Sequence, residues 1–506
     1  MEIVEESIKQ HDKYQFEVKF IYPVDKTLPF NEYQVETYFF LPENLDVKSD
    51  SYSKNDFYND MQKYLRFKTP AVLLKSVTSG KDSPLEKLKN SIERFAADAN
   101  NKDNETDYKY NLKMFCSIFR SALRDEEIFI EKLDNKEEYF QKIKAITENS
   151  QKIAKSFRNL KKQIHVPTIP EKFFALYLFA DEYISLMLDK YRYRLLLHLK
   201  GIEVKNKRKL HQMILELLKE EVMYRESQKY PSVAKENSDN EILIYRMGIL
   251  KKLMGSVLFL KSRTKTEGRV LEQITFGFAA GLAMFFATAV AFACKFTFED
   301  LTLSFFVALV VSYIFKDRIK ELVRIYLYRK IKKYIYDFRT VIYNSLDRKI
   351  GYCRENFTFI KEKHLPENIA RFRNKDYITE LENGYLGEQV IFYKKYIKIF
   401  TKECQSLFRD FPVDGINDII RFNVRHFLDK MDNPEKKLFV FDEKNDTVNS
   451  VGASRVYHMN MVFKYGMVNN QEVYRRYRVI LNQNGIKRIE EICHDKVLLN
   501  GVGKLA

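Results

Sequence analysis

Apolar positions are spread unevenly along this chain, and two uninterrupted runs dominate the pattern. Residues 274–294 hold no ionisable side chain except the thiol of Cys294, and residues 301–315 hold none beyond Tyr313. A helix over the first run would span roughly 31 Å at about 1.5 Å per residue, matching a hydrocarbon core of about 30 Å. The second would reach only about 22 Å on the same arithmetic. It would need help from Phe296 and Phe298, from local thinning, or from Lys316 and Arg318 snorkelling. Together the runs predict a two-helix transmembrane hairpin with spans 274–294 and 301–315, inside a mainly α integral membrane protein. Basic residues crowd both flanks, with Lys261, Arg263 and Lys265 before and Lys316, Arg318, Lys320 and Arg324 after. The turn carries Glu299 and Asp300. The positive-inside rule then predicts a multi-pass protein of the inner (cytoplasmic) membrane with both termini cytoplasmic.

Small residues recur every four positions in both runs. Gly277 and Gly281 form a GxxxG; Ala279, Ala283 and Ala287 form a second ridge, and Ser304, Ala308 and Ser312 a third. Such ridges let helix backbones approach closely. One ridge is enough to pack the helices together, so a spare face is expected to pair protomers in a homo-oligomer.

Elsewhere the pattern changes period. Residues 14–22 and 33–41 read as strands of a small N-terminal α+β domain over 1–78, with a helix near 55–67 and a third strand at 72–77. A helical bundle is expected over 79–230. Tyr108, Leu112, Phe115, Phe119 and Ala122 recur at helical steps, and residues 139–164 carry a coiled-coil-like seam. The run 173–199 is apolar, but Asp181, Glu182, Asp189 and Lys190 mark it as a bundle helix and not a third span. Residues 239–346 would hold the hairpin with flanking basic helices. A C-terminal α+β domain is expected over 347–506, with a helix at 412–431 and an antiparallel meander built from 437–442, 456–465, 472–481 and 486–492, turning at Asn482-Gln-Asn-Gly485.

Composition adds a net charge of +17 from 86 basic and 69 acidic residues. Next to a bilayer this reads as attraction to anionic headgroups, with Lys316, Arg318, Lys320 and Arg324 as contacts. No helix-turn-helix, RNP or zinc-finger pattern supports nucleic-acid binding, so none is expected. Cys116, Cys294, Cys353, Cys404 and Cys493 are scattered, never as CxxC, which fits a reducing compartment without disulfides or zinc. The chain opens with an acidic stretch, so no signal peptide is expected.

Little in the sequence points to chemistry. Thr78-Ser-Gly-Lys-Asp-Ser83 resembles the SGGxDS phosphate loop of ATP pyrophosphatases, which would imply a nucleotide-handling enzyme using Lys81 and Asp82. It lacks the second glycine and no doubly wound series follows, so Ser83 reads as an N-cap before Pro84. Cys493-His494-Asp495 are sequence neighbours and so poorly placed to converge as a triad. Glu299 and Asp300 would suit the acidic mouth of a small oligomeric cation channel, although no polar stripe lines either run. No cofactor, metal or catalytic residue is expected. The reading that remains is a membrane-anchored scaffold or sensor with a cytoplasm-facing domain, whose partners are the bilayer and an unidentified cytoplasmic protein.

Overall fold

The computed structural model describes residues 4–133, 136–200, 207–297, 303–332, 335–344, 347–373, 387–405, 411–442, 446–468 and 472–493. In chain order the elements are β1 (Glu5–Gln10), β2 (Gln15–Pro23), β3 (Phe30–Pro42), α1 (Lys54–Asn59), β4 (Met61–Phe67), α2 (Pro84–Ala97), α3 (Lys102–Glu131), α4 (Lys136–Asn159) and α5 (Lys161–Ile164). They continue with α6 (Glu171–Lys200), α7 (Lys207–Ser227), α8 (Glu241–Gly255), β5 (Lys261–Thr266), α9 (Arg269–Thr297), α10 (Leu303–Lys332), β6 (Phe338–Tyr343), β7 (Lys349–Ile360) and α11 (Glu367–Arg373). The last third holds β8 (Glu388–Phe400), α12 (Thr401–Gln405), β9 (Gly415–Asn423), α13 (Arg425–Leu428), β10 (Glu435–Asp442), β11 (Thr447–Ser454), β12 (Tyr457–Met467), β13 (Val473–Asn482) and β14 (Gly485–Cys493).

The expectation of a mainly α membrane protein is corrected. Of the described residues 51% are helix and 29% strand, with those strands in three sheets, a mixed α/β fold. Among the described residues one helix, Val270–Phe296, is long and apolar enough to cross a membrane; its mean hydropathy is 1.9. The second run begins α10, which continues from it through Lys316, Asp317, Arg318 and Lys320 as one helix to Lys332 and does not meet the same length and hydropathy test. The basic flanks are not all helix either. β5 carries Lys261, Arg263 and Lys265 and pairs antiparallel with β6. Helices α9 and α10 therefore leave and rejoin neighbouring strands of one sheet, and a two-span, multi-pass placement in an inner membrane is not supported. The coiled-coil seam is corrected as well. It breaks between α4 and α5, and Ile143, Ile153, Phe157 and Ile164 are buried in a bundle of unlike helices.

The contact pattern divides the chain into two units. Unit 1 comprises residues 1–65, 260–407 and 415–506. Its larger sheet has eight strands in the order β14-β13-β12-β3-β8-β7-β6-β5, and a four-stranded sheet runs β1-β2-β9-β4. The sheets face one another across an aromatic core. Phe20 meets Phe463 edge-on at 5.7 Å, Phe39 stacks on Phe422 at 5.5 Å, and Phe57 sits 5.5 Å from Tyr393. Of the expected meander, β12-β13-β14 is present and β12 joins it to β3 from the other end of the chain, whereas 437–442 lies in β10, outside that sheet. β10 and β11 pair only with each other. The helix expected over 412–431 is instead β9 followed by the single turn α13, and that expected over 55–67 is α1 followed by β4.

Unit 2 comprises residues 66–259 and 408–414. It is an all-helical bundle in which α3 and α6 are the long central helices. Asp181, Glu182 and Asp189 of α6, unusual in so apolar a stretch, are buried and each is met by an arginine. Arg158 reaches Asp181 at 3.1 Å and Glu221 at 2.8 Å, Arg246 reaches Glu182 at 2.6 Å, and Arg225 pairs with Asp189. Buried charges persist only when paired in this way.

Candidate functional site

In unit 2, three arginines converge on a cavity with no carboxylate among its lining residues. Arg66, at the end of β4, is the first residue of the unit, and Arg120 and Arg124 lie one turn apart on α3. Together with Thr69, Ser117, Ser121 and Tyr183 they line a cavity of about 40 Å3, closed below by Gly255 and Leu258. Local structure explains each position. α3 is amphipathic, and Ser117 and Ser121 interrupt its apolar face on the same four-residue step as Arg120 and Arg124. Ser117 is buried and donates to the Met254 carbonyl at 3.1 Å. Lys113, one turn earlier, holds Ser256 Oγ at 2.9 Å. The turn after α8 is thereby fixed to α3.

The electrostatics are lopsided. Arg66 Nη2 donates to Thr69 Oγ1 at 3.1 Å, while its buried Nε has no partner among the described residues. Burial, with Arg120 and Arg124 adding repulsion, brings its guanidinium down to about 10. Arg120 hydrogen-bonds the hydroxyl of Tyr183, a phenol pushed up to about 12 chiefly by burial. Arg124 donates to Ser121 Oγ at 2.9 Å and to Asp125 Oδ1 at 2.7 Å; it is about half exposed. Asp125 is the one acid on these arginines, and it lies outside the cavity lining. Lys190 adds to the field, held below the ordinary lysine value by burial and then by Arg194, Arg120 and Lys251. The site thus presents several charged and hydroxyl donors to a small, partly open space.

Other charged clusters are matched in charge, although the buried Asp418 Oδ1 has no hydrogen-bond partner among the described residues. In unit 1, Lys395 is buried between the sheets, 2.6 Å from Asp418 and 4.0 Å from Glu355. Lys63 reaches Glu355 at 2.6 Å, Tyr393 donates to the same carboxylate, and Tyr22 donates to Asp418 at 3.2 Å. Two cations and two anions balance. Glu127, Glu131 and His198 could share a metal ion, but Arg194 already occupies both oxygens of Glu127. A cavity of about 280 Å3 in unit 1 contains the paired Asp432 and Arg455, 2.6 Å apart.

The residues singled out from sequence are placed elsewhere. Ala279 and Ala283 of α9 and Ser312 of α10 are buried where the two helices pack; Ala287 and Ala308 are half-buried. Gly277 and Gly281 face open space, with nothing within 4 Å of an added Cβ. Ser304 belongs to α10, but its side chain lies outside the described set, as do Glu299 and Asp300 altogether. Lys316 caps the Tyr313 ring at 3.5 Å, Arg324 pairs with Glu321 at 2.8 Å, and Arg318 and Lys320 are exposed. In the loop at 78–83, Ser83 Oγ accepts from Glu86 N with Pro84 at the first helical position, as a helix start requires. Cys493 ends β14, and His494 and Asp495 lie outside the described residues.

Sequence reasoning missed the arginine site. The signal was Ser117, Arg120, Ser121 and Arg124, four polar residues on steps that should otherwise carry core residues. Comparison with known proteins adds no identity: no family, curated protein or solved structure matches this chain.

Proposed function

We propose that the protein is a sensor-type binding protein whose helical unit recognises a small anion in the Arg66–Arg120–Arg124 cavity. The observation that supports this is three guanidinium groups lining one small, partly open cavity with no carboxylate among the lining residues. Folding gains nothing from assembling like charges. Their mutual repulsion lowers stability, so the arrangement makes sense as a site completed by a ligand. Arginine suits this task because its planar fork donates two hydrogen bonds to one oxyanion and stays charged when dehydrated.

Isothermal calorimetry of the whole chain against inorganic phosphate at constant ionic strength tests the reading. Binding is expected, and Arg120→Ala should weaken it by roughly tenfold or more, since a hydrogen bond to a charged group contributes about 1.5–3 kcal/mol. Absence of heat with every anion tried would refute it.

A further inference from the structure

We infer that the anion is a tetrahedral oxyanion of the phosphoryl type, and that it clasps the segment entering unit 2 and the turn leaving it onto α3. This rests on the anion-binding reading above and goes further on two points, ligand geometry and consequence.

The geometry argues for a tetrahedron. Donors approach the cavity from three separate elements: Arg66 and Thr69 from the entering segment, Arg120, Arg124 and Ser121 from α3, and Tyr183 from α6. A planar carboxylate presents its two oxygens in one plane and satisfies one arginine fork well. Four oxygens at tetrahedral corners can meet donors from several directions at once. Size agrees. A cavity of about 40 Å3 has space for roughly three waters, which is also the scale of a single oxyanion and far below that of a nucleoside. A phosphate monoester could enter by its terminal group only, with its remainder on the side of the half-exposed Arg124.

The consequence follows from where the cavity lies. Arg66 is the first residue of the central stretch of unit 2 and Phe259 the last, and the two form a β-bridge. The turn at 254–258 closes the cavity through Gly255 and Leu258, and it is held to α3 by the Ser117 and Lys113 bonds. The entering segment is bridged to Phe259 through its backbone, but the Arg66 guanidinium bonds Thr69 of its own segment and faces two like charges on α3. With the cavity empty, Coulomb repulsion works against closure of this segment on α3. A dianion between them adds attractions at shorter range that outweigh the arginine–arginine repulsion, and so binds Arg66 to Arg120 and Arg124 through itself. Ligand is then read out as tightening at both chain crossings.

Hydrogen exchange on the full-length protein with and without inorganic phosphate tests this, with sulfate, acetate and glycerol phosphate as further arms. Phosphate and sulfate should slow exchange several-fold in peptides covering 64–70 and 254–260, and acetate should not. Glycerol phosphate acting like phosphate would identify monoesters as ligands as well as the free ion. Arg124→Gln, at the exposed rim and so without consequence for folding, should weaken phosphate binding and abolish the protection. If phosphate binds by calorimetry but exchange at 64–70 is unchanged, or if acetate binds as tightly, this inference fails while the binding function stands. If no anion binds, both fall.

Discussion

Asp418 and Lys395 show what a single residue can do in a dry core. Asp418→Ala leaves a buried ammonium with Glu355 4.0 Å away as its remaining counter-ion, and removing one partner of such a pair costs about 3–5 kcal/mol. Replacing both, as Lys395→Met with Asp418→Leu, should cost far less, because apolar side chains of similar volume need no counter-charge. Urea unfolding of the two variants separates these outcomes; equal losses would mean that the pair itself is not what holds the site. Glu355 supplies the pH dependence. Burial pushes its carboxyl up, but Lys395 and Lys63 outweigh that and leave it below the ordinary value of 4.5. A folded value below the unfolded one means that its stabilisation is complete above the unfolded value and is lost as pH falls through the folded one. Acid unfolding monitored from pH 6 down to pH 2 should therefore steepen below about pH 4.3, the unfolded carboxyl value. Glu355→Gln should flatten that limb; an unchanged slope would exclude the assignment.

Glycines separate two roles at the scale of an element. Gly268, entering α9, has φ +93, and a Cβ there would collide with Ile335, just past the end of α10. Gly268→Ala should thus destabilise the α9–α10 pair through both backbone strain and the clash. Gly277 and Gly281 sit mid-helix with open space around them. Alanine at either should stabilise the helix by about 0.8–1 kcal/mol. Thermal melts of the three variants would show opposite signs, and a loss at Gly277 would mean that something covers that face. The same scale explains what the sequence could and could not reveal. The strands at 14–22, 33–41 and 456–465 were legible because one buried face alternates with a polar one. β8 was not, because its inward row Tyr393, Lys395, Ile397 has a lysine in the middle, which breaks the period-2 signal. β9 was mistaken for helix because Ile416, Ile419, Ile420 and Phe422 fall on three- and four-residue steps, as they also can in a strand with both faces partly buried. The apolar runs and the basic stretch after them carry helical signals, yet on sequence the runs predict a membrane hairpin, because the sheet that receives both ends depends on long-range pairing. The arginine site was illegible for a similar reason: Arg66 reaches α3 only through tertiary structure, from a strand that local pattern assigned to a helix.

For the whole molecule, the two units differ in kind: one is a pair of facing sheets assembled from distant parts of the chain, the other a bundle built almost entirely from one stretch. Leu260 N donates to Leu65 O at 3.1 Å, so the ends left by removing residues 66–259 already lie side by side. Loop closure over a short Gly-Ser link in place of 194 residues should favour unit 1, since closure entropy grows with loop length. The excised chain is expected to keep the strand signal in far-UV circular dichroism and to unfold cooperatively in urea. The complementary fragment 66–259 contains every residue lining the arginine cavity and should still bind phosphate. It should be less stable than in the whole chain, because Phe411, which lies under Lys87 at 4.4 Å and beside Tyr110 at 6.3 Å, is contributed from outside that stretch. A fragment that folds but no longer binds would place part of the ligand's contacts outside the bundle. A deletion variant without cooperative unfolding would show that the sheets depend on the bundle inserted between β4 and β5.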